Sequence, residues 1–124
     1  MKQDVTRVIP VLRIFDIAKA EEFYIGWLGF TIDWKHRFGE NFPLYMQVSL
    51  NDIVFHLTEH YGDCSPGAKV FIRTTGLDDL HKQLTAKDYR YYKPCVEIAP
   101  WNAKTMELPD PFGNKLLFSE SLDQ

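Results

Sequence analysis

The stretch Arg7-Val8-Ile9-Pro10-Val11-Leu12-Arg13-Ile14, followed by Phe15 and Asp16, decides how this chain is read. Its β-branched residues favour a strand from Arg7 to Ile14, whereas Pro10 has no N–H to give a ladder and marks an edge, a bulge or a bend. Asp16 then offers its carboxylate to the free N–H groups of a helix. Ile17, Ala20, Phe23 or Tyr24, and Trp27 or Leu28 recur on one helical face, and Gly29 ends it. Three strand-like runs follow, Phe30 to Phe38, Leu44 to Leu50 and Ile53 to Glu59, the last two joined by the tight turn Asn51-Asp52. The first half therefore reads β-α-β-β-β.

The order then repeats. Beyond the turn-rich segment His60 to Gly67, Lys69 to Thr74 reads as a strand, and Leu77, Leu80 and Leu84 form the apolar stripe of a second helix. Short strands are expected near Tyr89 to Tyr92, at Lys104 to Leu108 and at Lys115 to Phe118. Aligning the two helix starts, Asp16 and Gly76, sets Val11 opposite Phe71 and Arg13 opposite Arg73 at a constant spacing, the mark of an internal duplication. Units of this length are at the lower limit of what folds alone, so modules at about 5–60 and 67–121 should share one core in a single domain, 1–124. The expected fold is α+β, two βαβββ modules forming a curved mixed sheet.

Composition narrows the function. The 124 residues include 14 basic and 17 acidic side chains, a formal charge of −3, with basic residues too scattered to track a phosphate backbone. Nucleic acid is therefore not the expected partner. No apolar run approaches the roughly 20 residues of a membrane span, and no apolar segment follows Lys2 as in an export signal. Cys64 and Cys95 match no zinc spacing and are too few for a disulfide scaffold, which fits a reducing cytoplasm. His36, His56, His60 and His81 form no paired ligand motif, and no serine or cysteine lies in a nucleophile motif. His81, on a helix, is expected in solvent.

Several strands carry apolar or aromatic residues on both faces, so something should cover the face opposite each helix: a second subunit, a ligand in an aromatic cleft, or both. At this level the chain resembles the vicinal oxygen chelate superfamily of paired βαβββ modules, which includes glyoxalase I, extradiol dioxygenases and bleomycin resistance proteins. The resemblance spans nearly the whole chain. It rests on Ile9-Pro10-Val11-Leu12 leading to Asp16, Glu22-Phe23-Tyr24, Trp27-Leu28-Gly29-Phe30, Pro100-Trp101, and Asp110-Pro111-Phe112-Gly113-Asn114. Asp33-Trp34 with Pro10 and Pro100-Trp101 is more similar to the bleomycin-binding branch.

The resemblance implies a metal in the enzymes of the superfamily and none here. The usual ligand positions fall on Ile9, on Lys69 or Ala68, on Leu117 and on Phe55 as its first-module counterpart, and His56 is the one donor nearby. It implies instead a cytoplasmic homodimer that sequesters a small aromatic molecule, of which a bleomycin-like antibiotic is one candidate, with no cofactor and no catalytic residue. Asp33, Trp34, Phe38, His56, Thr58 and Trp101 would contact the ligand, and Pro10 would be the hinge of an exchanged first strand. Arg13, Arg37, Lys69 and Arg73 on the cleft side would oppose a cationic drug and suit an anion. The alternative is a metal-dependent glyoxalase-like lyase or dioxygenase whose ligand set assembles across the dimer.

Overall fold

The computed structural model describes residues 2–123. Strand β1 (Val11–Arg13) leads into α1 (Ile17–Glu21), which continues as a π-helical turn (Glu22–Trp27). Strands β2 (Thr31–His36), β3 (Tyr45–Leu50) and β4 (Ile53–Thr58) complete the first module. The second comprises β5 (Lys69–Arg73), α2 (Leu77–Ala86), β6 (Glu97–Ala99), β7 (Ala103–Pro109) and β8 (Lys115–Ser121). Each module forms its own four-stranded mixed sheet, in the orders β1-β4-β3-β2 and β5-β8-β7-β6. The duplication is exact in topology: β1 runs parallel to β4 as β5 does to β8, and the other pairings are antiparallel.

Local chemistry accounts for the boundaries. Asp16 caps α1 by accepting from the Lys19 N–H at 2.9 Å. Asn51 adopts a left-handed φ of 54° that closes the two-residue β3–β4 hairpin. Gly76, at φ 69°, opens α2, and the Glu120 carboxylate accepts from the N–H groups of Gly76 and Leu77 there.

Four local expectations need correction. The first strand begins at Val11, not Arg7, because Pro10 interrupts the N–H row; its carbonyl still accepts from His56 N at 3.0 Å. The first helix is not uniformly α. Its second half widens to π geometry, which turns the bulky Phe23, Tyr24, Trp27 and Leu28 all inward. Tyr89 to Tyr92 is not a strand: Asp88 ends the helical region at φ 51°, and Tyr89 stacks on Trp27 at 4.6 Å instead of joining a ladder. The short strand comes later, as β6. His81 is half-buried, its Nε2 donating to the Pro94 carbonyl at 3.1 Å.

The inner faces of both sheets and the helices enclose one continuous core. Met46, Val48, Phe55 and Leu57 from the first sheet share it with Met106, Leu108, Leu116 and Phe118 from the second. The modules are also joined by hydrogen bonds: Trp27 Nε1 donates to the Leu84 carbonyl at 3.0 Å, and Lys87 Nζ to the Trp27 carbonyl at 2.8 Å. The turn after β7 ties the two halves further. Asp110 accepts from the Tyr24 hydroxyl at 2.7 Å, from Asn114 Nδ2, and from the N–H groups of Phe112 and Asn114. Burial outweighs these donors and holds the Asp110 carboxyl above its usual range. No helix is long and apolar enough to cross a membrane among the described residues.

Candidate functional site

With helices filling the inner faces, the outer face of each sheet is left open. On the first sheet, Tyr45, Gln47, His56 and Thr58 project outward, since Met46, Val48, Phe55 and Leu57 point into the core. A bulge in β2 between Ile32 and Trp34 re-aims the strand and brings the Trp34 ring over this face. Trp34 stacks on Tyr45 with centroids 5.9 Å apart and an interplanar angle of 10°, and His56 meets both rings edge-on. Phe38 closes the far side against His36 and His60. Trp34, His36, Phe38, Tyr45, His60 and Asp63 enclose a cup of about 360 Å³, with His56 packed against its Trp34–Tyr45 wall.

A polar relay runs along the sheet face beside the cup and reaches it at Tyr45. Asp33 accepts from Ser49 Oγ at 3.0 Å and Gln47 Nε2 at 3.1 Å, Gln47 Oε1 lies 3.0 Å from His56 Nε2, and the Tyr45 hydroxyl lies 2.6 Å from His56 Nδ1. Consistent hydrogen bonding places the His56 proton on Nε2, with Tyr45 donating to Nδ1. Desolvation lowers the His56 pKa, and burial, aided by the charge of Asp63, raises that of the Tyr45 hydroxyl. Neutral His56 is therefore part of the folded network.

The His56 shift has a consequence for stability. Because the folded pKa lies below the unfolded value, the unfolded chain binds the extra proton between the two. Stability is expected to be whole above about pH 6.5 and to fall as pH drops through the folded value. Urea midpoints at pH 7.5 and 5.5 should separate less in His56→Gln than in the wild type.

The residues expected from sequence are not all brought together. Asp33, Trp34, Phe38 and His56 do converge on the first sheet. Thr58 is fully buried beneath them, its hydroxyl donating to Asp63 at 2.7 Å and accepting from His60 N, so it holds the cup's edge from below. Trp101 lies elsewhere. It is 55% exposed on the second sheet's outer face, 6.4 Å from Phe71, beside a separate cup of about 520 Å³ that also includes Arg73, Ser119 and Ser121. Pro10 leads into a β1 that pairs with β4 of its own chain. Sequence reasoning missed His36, Tyr45, His60 and Asp63 as cup residues. Alternation along β3 is the signal that could have found Tyr45, whereas His60 and Asp63 lie in a turn-rich segment that carries no periodicity. Nε2 of His60 is buried without a hydrogen-bond partner among the described residues.

The four basic residues also sort differently. Arg13 is buried, donating to the Glu59 carbonyl at 2.7 Å with its guanidinium 4.6 Å from the Phe15 ring, Arg37 donates to Phe42, and Lys69 pairs with Glu107 at 3.2 Å. Arg73 alone of these lacks an ion pair or a side-chain hydrogen bond among the described residues, and it stands in the second cup, not the first.

The ligand positions of a metal centre can be tested directly. Val11 pairs with His56 where Phe71 pairs with Leu117, so the first-module counterpart of Leu117 is His56, not Phe55, which faces the core. Ile9, Lys69, Leu117 and His56 supply one imidazole and no carboxylate, with Lys69 already in its ion pair. These residues do not fit a divalent cation. No group of three or more His, Cys, Asp or Glu side chains is arranged for a metal ion among the described residues.

A family model described as glyoxalase superfamily protein matches residues 2–124. Among solved structures, a glyoxalase-related enzyme from Clostridium phytofermentans is similar at 23% identity and a TM-score of 0.74, covering 97% of this chain and 98% of that one. A bleomycin-binding protein complexed with bleomycin is similar at 20% identity and 0.71, covering 94% and 99%. The bleomycin-binding protein of bleomycin-producing Streptomyces verticillus, complexed with copper(II)-bleomycin, is similar at 25% identity and 0.67, covering 94% and 97%. No curated protein sequence matches the chain.

Proposed function

Because this chain belongs to the glyoxalase superfamily, we propose that it uses the scaffold as a receptor, holding a planar aromatic molecule against the first sheet without transforming it. The observation that carries this reading is the stacked Trp34–Tyr45 wall with Phe38 opposite, around a cup whose His60 has an unsatisfied buried nitrogen. Such a surface favours a flat heterocycle by stacking and, when the His60 ring turns its buried Nε2 toward the cup, a hydrogen-bonding group that supplies the partner this nitrogen lacks. The residues at the superfamily's metal positions cannot assemble a Lewis acid, so affinity alone would do the work.

Relatives that bind bleomycin make that antibiotic class the first ligand to test. With Arg13 and Lys69 engaged by their own partners, no free cation of the same chain faces the first cup among the described residues, and the charge opposing a cationic drug would come from Arg73 of a facing copy. We further propose a homodimer, in which the Trp101 cup of one copy faces the Trp34 cup of the other and Pro10 serves as the hinge of the first strand. Two free cysteines suit a reducing cytoplasmic setting.

Titration of tryptophan fluorescence with metal-free bleomycin, alongside metal analysis of protein purified without chelators, tests the reading. Saturable quenching at one drug per chain supports it. Stoichiometric iron, zinc, nickel or manganese held by the polypeptide would overturn it in favour of a lyase or dioxygenase.

A complementary prediction concerns His60. Replacing it with phenylalanine keeps the edge contacts to Phe38 and Tyr45 and removes the unpaired nitrogen. The variant is expected to be about 1 kcal/mol more stable than the wild type in urea, yet to bind the aromatic ligand several-fold more weakly. A variant that gains stability and keeps full affinity would remove His60 from the site.

A further inference from the structure

Away from both cups, a cavity of about 330 Å³ opens where the first helix meets the segment after α2 and the turn after β7. Its wall is formed by Tyr89, Tyr91 and Tyr92, by Glu22, Pro109 and Pro111, and by Asp110, whose carboxylate is held by buried donors behind the wall. Asp110 is only 6% exposed, and each of its hydrogen-bond donors is an uncharged group. Neither Asp110 nor Glu22 has a cationic partner among the described residues. A carboxylate taken out of water without a counter-charge leaves a negative potential for whatever enters beside it. Lys19, exposed, is the one basic side chain in the wall.

The aromatic rings reinforce that potential, because the face of a tyrosine ring attracts cations. The chain itself displays this: the Arg90 guanidinium rides 4.7 Å above the Tyr91 ring, while Arg90 is not part of the cavity wall. Apolar sides formed by the two prolines would accept the hydrocarbon part of such a cation and exclude water around its charge. A hydrophilic metal ion would gain nothing from these walls, and an anion would meet the Glu22 carboxylate with the buried charge of Asp110 behind it.

We propose that this cavity is a second, separate binding site for a small organic cation of the alkylammonium or quaternary ammonium class. The site is built by the tyrosine-rich segment that replaces the strand expected at Tyr89 to Tyr92, and it is independent of the aromatic cup on the first sheet.

The test is calorimetric titration of the full chain with benzyltrimethylammonium, with benzyl alcohol as the neutral probe and benzoate as the anionic one. The cation is expected to saturate at one per chain and to bind at least about tenfold more tightly than the alcohol, with no binding of benzoate. Glu22→Gln and Tyr91→Ala, both changes at exposed side chains, should each weaken it severalfold, and Trp34→Ala should leave it unchanged. Equal binding of the alcohol or benzoate would overturn the proposal. So would unaltered affinity in both cavity variants, or a loss of affinity in Trp34→Ala, which would place the cation in the first cup instead.

Discussion

Asn114→Ala is expected to cost about 3–5 kcal/mol of folding stability, far more than its small volume suggests. The side chain is fully buried between the modules. Its Oδ1 accepts from Ala68 N at 3.1 Å, and its Nδ2 donates to the Arg13 carbonyl at 2.9 Å and to Asp110 at 2.8 Å. Ala68 precedes the second module's first strand and Arg13 ends the first module's. One amide thus joins the starts of both repeats to the turn before the last strand. Alanine leaves a donor and a carbonyl unpaired and takes one of four donors from a carboxylate already held in its higher pKa range. Each orphaned group costs about 1–3 kcal/mol, and an admitted water would recover part of the sum. A urea titration in which the midpoint falls while the slope is retained measures it. A loss under about 1 kcal/mol would show that this amide does not hold the modules together.

Trp34→Ala is expected to weaken the aromatic ligand about 30-fold while leaving the free protein nearly as stable as before. The ring is 41% exposed, so little buried area is lost without ligand, whereas a flat molecule in the cup loses both a stacking partner and apolar contact. Stacking of about 0.5–1.5 kcal/mol, added to the apolar area covered, comes to about 2 kcal/mol. Fluorescence anisotropy of a labelled ligand would read it. Trp101→Ala separates the monomeric from the dimeric receptor, since Trp101 and Trp34 lie in different cups of one chain. If two copies share a cup, Trp101→Ala weakens the ligand too. Mixing Trp34→Ala with Trp101→Ala chains then restores one intact cup in each mixed dimer. Neutral behaviour of Trp101→Ala, with no recovery on mixing, would place the whole site on the first sheet of a single chain.

The pairing of Asp16 with Gly76 was enough to place both helices and the repeated strand order, because caps, turns and apolar periodicity act over a few neighbouring residues. The same local rules failed at Tyr89 to Tyr92. Aromatic residues that favour a strand in isolation were worth more as packing for Trp27, a contact sixty-odd positions away in sequence. Nor do local rules place the two tryptophans relative to one another: the separation of the two sheets puts Trp34 and Trp101 of one chain in different cups.

What the sequence determined by itself is the repeat and its α+β order, since both depend on which residue types occupy which periodic positions. Tertiary structure alone decided that His56 rather than Phe55 stands opposite Leu117's place, that His60 is left with an unpaired nitrogen, and that Arg13 and Lys69 are spent on internal partners. Register, burial and hydrogen-bond satisfaction depend on segments distant in the chain, and a side chain's chemistry is set by whichever groups those segments bring against it.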